Sequence, residues 1–220
     1  MKNIIFQDGS VLPIGKIICI GRNYLDHAKE LDSEVPKEPL FFYKPNYTVI
    51  YSYEKIIYPT FSQNLHHEVE LVVALGKTVR NISEQEASNA IAGYAVGLDM
   101  TARDIQNHAI KNGLPWSLSK GFDTSCVLSK FVKKQDYDLN FNESIMLYVN
   151  NQEKQNAKLN SMIFKPNFLI SYISKLITLE QGDIIMTGTP AGVGPVIPGD
   201  IIFAKIENIG EIHTEIIKYE

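Results

Sequence analysis

Two glutamates separated by one residue begin an apolar run in the segment HHEVELVVALG at positions 66–76. Because side chains in a strand alternate between faces, Glu68 and Glu70 would point the same way, with Val69 and the next odd-numbered residues on the other side. Two carboxylates on one face repel each other, and they are costly to bury without a cation between them. The pattern leaves two alternatives, a cation site or a solvated sheet face.

A third carboxylate ends another apolar run, IAGYAVGLD, at Asp99. Asp99 could lie where a buried strand reaches the edge of a sheet, or it could serve only a turn or a helix cap. Together with the two glutamates it would supply three hard oxygen ligands. Such a set suits Mg²⁺, with Mn²⁺ or Ca²⁺ as alternatives, better than it suits zinc.

A helix is predicted directly after Asp99. Thr101 is a good N-cap, and Asp104 stands at the position from which a carboxylate bonds back to the capping residue. The helix would place Arg103 and Gln106 on one face beside Asp99.

Histidines give weaker signals. His66 shares the face of the two glutamates by parity, which favours it as a partner of the site, whereas His67 is predicted to be a structural histidine. In GRNYLDHAKEL (21–31), Asn23 could cap a helix that brings His27 and Glu30 onto one face. A carboxylate that orients a neutral imidazole gives a general base, and a solvated surface pair is the alternative.

The glycine-rich segment TGTPAGVGP (187–195) follows a predicted strand but lacks the motif of a phosphate-binding loop or a dinucleotide site. No nucleotide or organic cofactor is therefore expected. The segment could bring backbone N–H groups and the Thr189 hydroxyl close to a small anion, or it could be only a tight turn.

Strands are expected to form the frame that positions these residues. Segments rich in Ile, Val and Tyr predict strands, and helices are predicted at 24–31, about 102–111 and 167–179. In the last of these helices a stripe of apolar residues is expected in the core: Phe168, Ile170, Ile173, Leu176 and Ile177. The fold class is mainly β with a few helices.

One domain is expected over residues 1–220, with a short N-terminal strand segment at about 1–15. A proline-rich acidic loop at 32–39 follows the first helix, and the region around 24–40 is expected to act as a lid.

Composition excludes several classes of protein. The formal net charge of -4 argues against a nucleic-acid partner. No membrane span or signal peptide is recognisable, and only two cysteines occur, so a cytoplasmic location is predicted. Cys126 lies in an apolar pattern that favours a buried thiol over a nucleophile.

Several long motifs occur in one order: GRNYLDH, HHEVEL, GYAVGLDMTARDIQ, GLPWSLSKGFD, NSMIF and GDIIMTGTPAGVGP. Together they resemble the fumarylacetoacetate hydrolase family, in its acylpyruvase and oxaloacetate decarboxylase branch, from about residue 16 to 203. The resemblance implies a mixed β-sandwich roll, a homodimer and one divalent metal held by Glu68, Glu70 and Asp99. It also implies a water-activating pair, His27 and Glu30, on the lid.

Around the substrate the same resemblance places Arg22, Gln106, Lys120 and Thr189, with Lys120 also assisting catalysis. The expected reaction is metal-dependent cleavage of an acylpyruvate to pyruvate and a carboxylate, with decarboxylation of oxaloacetate as a second activity. Alternatives are a fumarylpyruvate hydrolase, an isomerase or decarboxylase of aromatic-degradation intermediates, and a silent protein that binds metal or a small 2-oxo acid.

Overall fold

The computed structural model describes residues 2–30 and 36–219, with only the backbone for residues 27–29. Within these ranges the strands are β1 (Asn3–Ile5), β2 (Val11–Pro13), β3 (Ile17–Gly21), β4 (Leu40–Lys44), β5 (Val49–Tyr51), β6 (Ile56–Tyr58), β7 (Leu65–His67), β8 (Val69–Leu75), β9 (Ile91–Asp99), β10 (Thr101–Ala102), β11 (Cys126–Leu128), β12 (Val132–Lys133), β13 (Ser144–Val149), β14 (Gln152–Lys158), β15 (Ile184–Met186), β16 (Gly194–Val196), β17 (Ile201–Ile206) and β18 (Gly210–Lys218). The α-helices are α1 (Leu25–Glu30), α2 (Glu84–Ala87), α3 (Arg103–Lys111), α4 (Ser117–Lys120) and α5 (Pro166–Leu176).

A mixed sheet forms the centre of the fold, with the strand order β4-β3-β15-β8-β9-β11-β5 and β12 paired to β9. A second sheet has the order β14-β13-β17-β18-β6, and a small sheet joins β10, β7 and β16. Most neighbours are antiparallel, but β3 with β15, β5 with β11 and β6 with β18 are parallel. The prediction of a mainly β fold with mixed sheets is confirmed.

Strand β8 is central and is buried on both faces. Its odd-numbered residues, Val69 to Leu75, join the larger hydrophobic core, whereas Val72 and Ala74 join a second core on the opposite face of the sheet. The continuous apolar pattern of the strand follows from this double burial. The alternative of a solvated sheet face at this strand is therefore wrong.

Helix α5 packs against the larger core, although its predicted apolar stripe is correct only in part. Ile170 and Ile173 are buried together with Leu169, whereas Phe168 and Leu176 are exposed. Phe168 instead stacks at the surface between two neighbouring aromatic rings. The buried face of the helix thus shares Ile170 and Ile173 with the predicted stripe and includes Leu169 in place of Phe168 and Leu176.

The lid predicted at 24–40 is only partly covered by the structure. Its first part is α1, and residues 31–35 lie outside the described residues. The single-domain arrangement and the closing role of the lid stay predictions. Among the described residues no helix is long and apolar enough to cross a membrane.

Strands β9 and β12 approach so closely at Gly93 that a side chain there has no room. A Cβ atom at this position would lie 2.3 Å from the carbonyl oxygen of Val132. We expect Gly93→Ala to lower the free energy of unfolding by about 1–3 kcal/mol, as overpacking does. Urea denaturation measures the loss. Gly194→Ala is the control, because its Cβ would meet only His67 at an ordinary 3.6 Å, and an equal loss in both variants would contradict the packing argument.

Candidate active site

Three carboxylates converge where β8 and β9 lie side by side. One carboxylate oxygen from each of Glu68, Glu70 and Asp99 lies within 4.8 Å of the others, and all three residues are buried. Pairing of Val69 with Leu98 sets this register, and the Asp99 N–H donates to the Glu68 carbonyl oxygen at 2.9 Å. The sequence therefore predicted correctly which carboxylates meet.

The local backbone differs from the prediction at Glu68. This residue lies between β7 and β8, so the segment is not one continuous strand. Each of the two strands joins a different sheet, and the break at Glu68 is where the chain passes from one sheet to the other. Glu68 nevertheless faces the same site as Glu70.

Two cations contact the carboxylates from the side of the helices. The Lys120 ammonium, at the end of α4, lies 2.8 Å from Glu68 Oε2 and 2.8 Å from Asp99 Oδ2. Arg103, at the start of α3, donates from Nη2 to Glu68 Oε1 and from Nη1 to Gln106 Oε1. Burial lowers the pKa of Lys120, but the charges of Asp99 and Glu68 outweigh burial and raise the pKa above its usual value. Lys120 therefore stays protonated.

Lys44 is a third cation, which the sequence analysis missed. It ends β4 and is fully buried, with its ammonium 2.8 Å from Asp99 Oδ1. The same group donates to Ser125 Oγ at 3.0 Å and to the carbonyl oxygen of Lys120. Lys44 thus links Asp99 to the end of α4.

Glu70 is held by the glycine-rich loop. The Gly188 N–H donates to Glu70 Oε2 at 2.7 Å. Gly188 has φ of +91°, and a Cβ there would lie 2.8 Å from Asn23 Cβ, so glycine alone fits. Burial, and after it the charges of Asp99 and Glu68, raises the pKa of Glu70 well above its usual value.

This donor set fits a divalent cation. All three ligand groups offer hard carboxylate oxygens, which suit Mg²⁺ and Mn²⁺. Burial first, and then the charges of Asp99 and Glu68, disfavour the charged form of Glu70 and raise its pKa, and a cation between the three carboxylates would offset both effects. Glu68, Glu70 and Asp99 are therefore the residues that could hold the metal.

A cavity of about 40 Å³ lies against the carboxylates. On its polar side it is lined by Arg22, Gln106, Lys120 and Thr189, the substrate-binding residues expected from the sequence. Phe42, Ile110 and Trp116 form an apolar side. The cavity is therefore suited to a small anion with a short carbon chain.

Arg22 has a strained backbone. Its φ of +59° is in the left-handed region, which is rare for residues other than glycine, asparagine and aspartate. Such strain is concentrated at functional sites, where the surrounding structure holds it in place.

The predicted pair on α1 is described only in part. Glu30 accepts the Gly192 N–H, with 3.1 Å to Oε1 and 3.2 Å to Oε2, so the helix contacts the glycine-rich loop. The side chain of His27 lies outside the described residues. Its pairing with Glu30 stays a prediction.

Two side chains predicted to cap helices bond elsewhere in the fold. The Asn23 side chain donates to the carbonyl oxygens of Phe164 and Thr187 and accepts the Phe164 N–H, so it joins two loops, and its capping of α1 stays a prediction. The carboxylate of Asp104 accepts from Ser62 Oγ at 2.6 Å and does not form the predicted capping box.

Thr101, the other half of the predicted box, belongs to β10, and α3 begins after Ala102 with no side-chain cap. The predicted placement of Arg103 and Gln106 at the site is nevertheless confirmed, because both line the cavity with Asp99.

The remaining side chains singled out in the sequence lie beside the site. His66 is half-buried, with Nε2 3.0 Å from Asn64 Oδ1. His67 is buried and bonds through Nδ1 to Gln155, as expected of a structural histidine. Burial raises the pKa of Cys126 to about 12, so the thiol is not a nucleophile at neutral pH.

Comparison with known proteins agrees with this geometry. The family model described as fumarylacetoacetate (FAA) hydrolase C-terminal matches residues 16–217. The chain is 47% identical over 193 residues to "Oxaloacetate tautomerase FAHD1, mitochondrial" of Bos taurus, covering 88% of this chain and 87% of that protein. It is 48% identical over 196 residues to "Oxaloacetate decarboxylase, mitochondrial" of Dictyostelium discoideum, covering 88% and 89%.

Among solved structures, the fumarylpyruvate hydrolase from Pseudomonas aeruginosa in complex with Mn²⁺ and pyruvate superposes with a TM-score of 0.96. The two sequences are 32% identical, and the match covers 99% of this chain and 96% of that one.

Removing the buried cation Lys44 would leave Asp99 without a partner on that side. We expect Lys44→Met to lower the free energy of unfolding by about 3–5 kcal/mol, the cost of breaking a buried ion pair. The control is Lys55→Met, because Lys55 forms an exposed pair with Glu215 at 3.0 Å whose loss is expected to cost less than about 1 kcal/mol. Chemical denaturation in the presence of EDTA compares the two. Equal losses would contradict the role given to Lys44.

Proposed function

The chain belongs to the fumarylacetoacetate hydrolase family, and from this membership we propose that it is a divalent-metal-dependent enzyme acting on oxaloacetate. The observation that carries the proposal is the buried group of Glu68, Glu70 and Asp99 beside a small cavity with one polar and one apolar side. Relatives named for oxaloacetate tautomerisation and decarboxylation support this substrate.

Glu68, Glu70 and Asp99 would hold the cation, with Mg²⁺ or Mn²⁺ as the metal. A structural neighbour described with Mn²⁺ and pyruvate supports this choice. The cation would supply Lewis-acid stabilisation of negative charge on the ketone oxygen of a 2-oxo acid.

The charges of the site suit a dianion. The formal charges of the three carboxylates are balanced by those of Lys44, Lys120 and Arg103. A divalent cation would leave the site with two positive charges, which match the two carboxylates of oxaloacetate. Arg22, Gln106 and Thr189 lie around the cavity to bind and orient those groups.

Lys120 is a hydrogen-bond donor beside the three carboxylates. Its ammonium lies buried between two carboxylates, and a lysine side chain carries its proton at Nζ at neutral pH. In this position it can donate a hydrogen bond to a substrate oxygen that gains negative charge. Tautomerisation moves a proton between that oxygen and C3, whereas decarboxylation releases CO₂ and adds a proton at C3.

A second candidate is hydrolysis of an acylpyruvate, which yields pyruvate and a carboxylate. It requires an activated water, and the resemblance assigns that task to His27 and Glu30. The observation that favours it is the contact of Glu30 with Gly192, which places the Glu30 carboxylate at the loop that also carries Thr189. Fumarylpyruvate hydrolysis, and isomerisation or decarboxylation of aromatic-degradation intermediates, are related alternatives.

A homodimer is proposed with the enzyme on the basis of the family resemblance alone, and the expectation of no nucleic-acid or membrane partner rests on the net charge and the lack of a recognisable membrane span. The cytoplasmic location also stays a prediction, since the curated relatives described above are mitochondrial by name.

Metal removal tests the main proposal. We expect protein stripped with EDTA to release pyruvate from oxaloacetate no faster than a protein-free control, and Mg²⁺ or Mn²⁺ to raise the release above the rate with the same ion alone. Glu70→Gln should lower the affinity for Mn²⁺ by at least about 100-fold. Residues that only hydrogen-bond to metal ligands already contribute up to that factor. Glu215→Gln, at an exposed ion pair, is the matched control. Metal-independent turnover by the wild-type protein would overturn the proposal.

His27→Ala separates the two candidate reactions. Loss of a general base costs about 10²- to 10⁴-fold, so acylpyruvate hydrolysis should fall by that factor. Pyruvate release from oxaloacetate should stay within a few-fold, because loss of CO₂ needs no attacking water, and Mn²⁺ should remain bound. Unchanged hydrolysis of acetylpyruvate, followed by its ultraviolet absorbance, would rule out His27 as the base.

A further inference from the structure

Strand β14 carries one buried side chain among solvated neighbours. Gln155 is 1% exposed, whereas most of the polar residues on either side of it are exposed. Gln155 faces inward because it pairs with the buried Leu147, and a β-bulge follows, where Tyr148 already pairs with Glu153. The extra residue, Lys154, presents its carbonyl oxygen to the glycine-rich loop, where a Cβ at Gly192 would lie 2.0 Å from it.

The orientation of the Gln155 amide is fixed by two partners that allow no alternative. Its Oε1 accepts the Val69 N–H at 3.1 Å, and its Nε2 donates to the Pro190 carbonyl oxygen at 2.8 Å. A backbone N–H can only donate and a carbonyl oxygen can only accept, so the oxygen and nitrogen cannot be exchanged. The second amide hydrogen therefore goes to Thr189 Oγ1, at 2.7 Å.

The same orientation determines the tautomer of His67. Gln155 Oε1 lies 3.1 Å from His67 Nδ1, and because this oxygen is an acceptor, Nδ1 must carry the hydrogen. Gln155 thereby makes all four hydrogen bonds that its amide group can make. A buried amide with every position satisfied is rigid, and it can impose its orientation on its partners.

The Thr189 hydroxyl is the partner that matters for the site. Since its oxygen accepts from Gln155, its own hydrogen is directed elsewhere. Thr189 lines the cavity beside the carboxylates, and within the described ranges its hydroxyl accepts the bond from Gln155 but donates none. A substrate carboxylate offers only acceptors, so a hydroxyl with a hydrogen to donate is the group that recognises it.

We infer that Gln155 is a positioning residue that makes the Thr189 hydroxyl a hydrogen-bond donor to a carboxylate of the bound 2-oxo acid. The inference rests on the proposed function for the class of ligand. Gln155 also links the two halves of the site, because it binds Val69, which stands between Glu68 and Glu70, and the loop that carries Thr189.

Gln155→Glu tests the inference, because it replaces only the amide nitrogen by an oxygen. The new carboxylate can still accept from Val69 and His67 but no longer donates to the Pro190 carbonyl oxygen, and it would also accept the Thr189 hydrogen and withdraw it from the cavity. We expect the Kd of pyruvate for the Mn²⁺-loaded protein, measured by calorimetry, to rise about 10- to 100-fold, the usual contribution of a hydrogen bond to a charged group. With oxaloacetate, KM should rise by a similar factor and kcat should change little.

The matched control is Gln152→Glu. Gln152 lies on the same strand and is exposed, so its substitution introduces the same charge away from the hydrogen bonds of Gln155. Pyruvate binding should therefore stay at the wild-type value. The affinity for Mn²⁺ is measured in each variant, to show that any effect lies in recognition of the anion.

A double-mutant cycle with Thr189→Val separates positioning from a general disturbance. Thr189→Val should weaken pyruvate binding by itself, and adding Gln155→Glu should then weaken it no further. If glutamate prevents folding, Gln155→Met serves in the same cycle, with a rise of about tenfold expected in the wild-type background.

Pyruvate binding by Gln155→Glu that equals wild-type binding would overturn the inference. So would a weakening by Gln155→Glu that is equal in the wild-type and Thr189→Val backgrounds. Failure of the proposed function gives a different result. In that case oxaloacetate is not converted, while the pattern of pyruvate affinities still decides the role of Gln155.

Discussion

Repulsion among three buried carboxylates is the constraint that shapes this protein. Glu68, Glu70 and Asp99 lie within 4.8 Å of one another in a place that water hardly reaches. Groups from several parts of the chain compensate for that repulsion: two lysines, an arginine and a backbone N–H of a glycine loop. The sheet brings the charges together, and the surrounding contacts make the arrangement tolerable.

The same contacts give the site its chemistry. A group of carboxylates balanced by fixed cations can accept a divalent metal and still attract an anionic substrate. Lys120 contributes to both, since it neutralises Glu68 and Asp99 and keeps a proton at the edge of the cavity. The glycine-rich loop likewise binds Glu70 through Gly188 and presents Thr189 to the cavity.

Much of this site could be predicted from local sequence patterns. Alternation predicted Glu68 and Glu70 on one side, which is correct although Glu68 precedes β8. The end of an apolar run indicated Asp99, and helical spacing brought Arg103 and Gln106 together. These patterns succeed because each depends on residues close in the chain.

What the sequence could not show depends on distant partners. Lys44 is the last residue of an aromatic strand, and it has a role at the site only because it forms an ion pair with Asp99, 55 residues later in the chain. Gln155 stands in a strand that is polar except for Ala157, and it faces inward only because it pairs with the buried Leu147 of β13. Asp104 matched a capping box but bonds to Ser62, 42 residues away, and this tertiary contact prevailed over the local one. Helix α4, of four residues, is too short to show a period.

The most direct test of the central claim is a Mn²⁺ titration of the metal-free protein, followed by electron paramagnetic resonance of the free ion. We expect one tightly bound ion for each chain, with binding that becomes tighter when pyruvate is present. A titration in which all the Mn²⁺ stays free, with the protein folded, would contradict the interpretation of the three carboxylates as a metal centre.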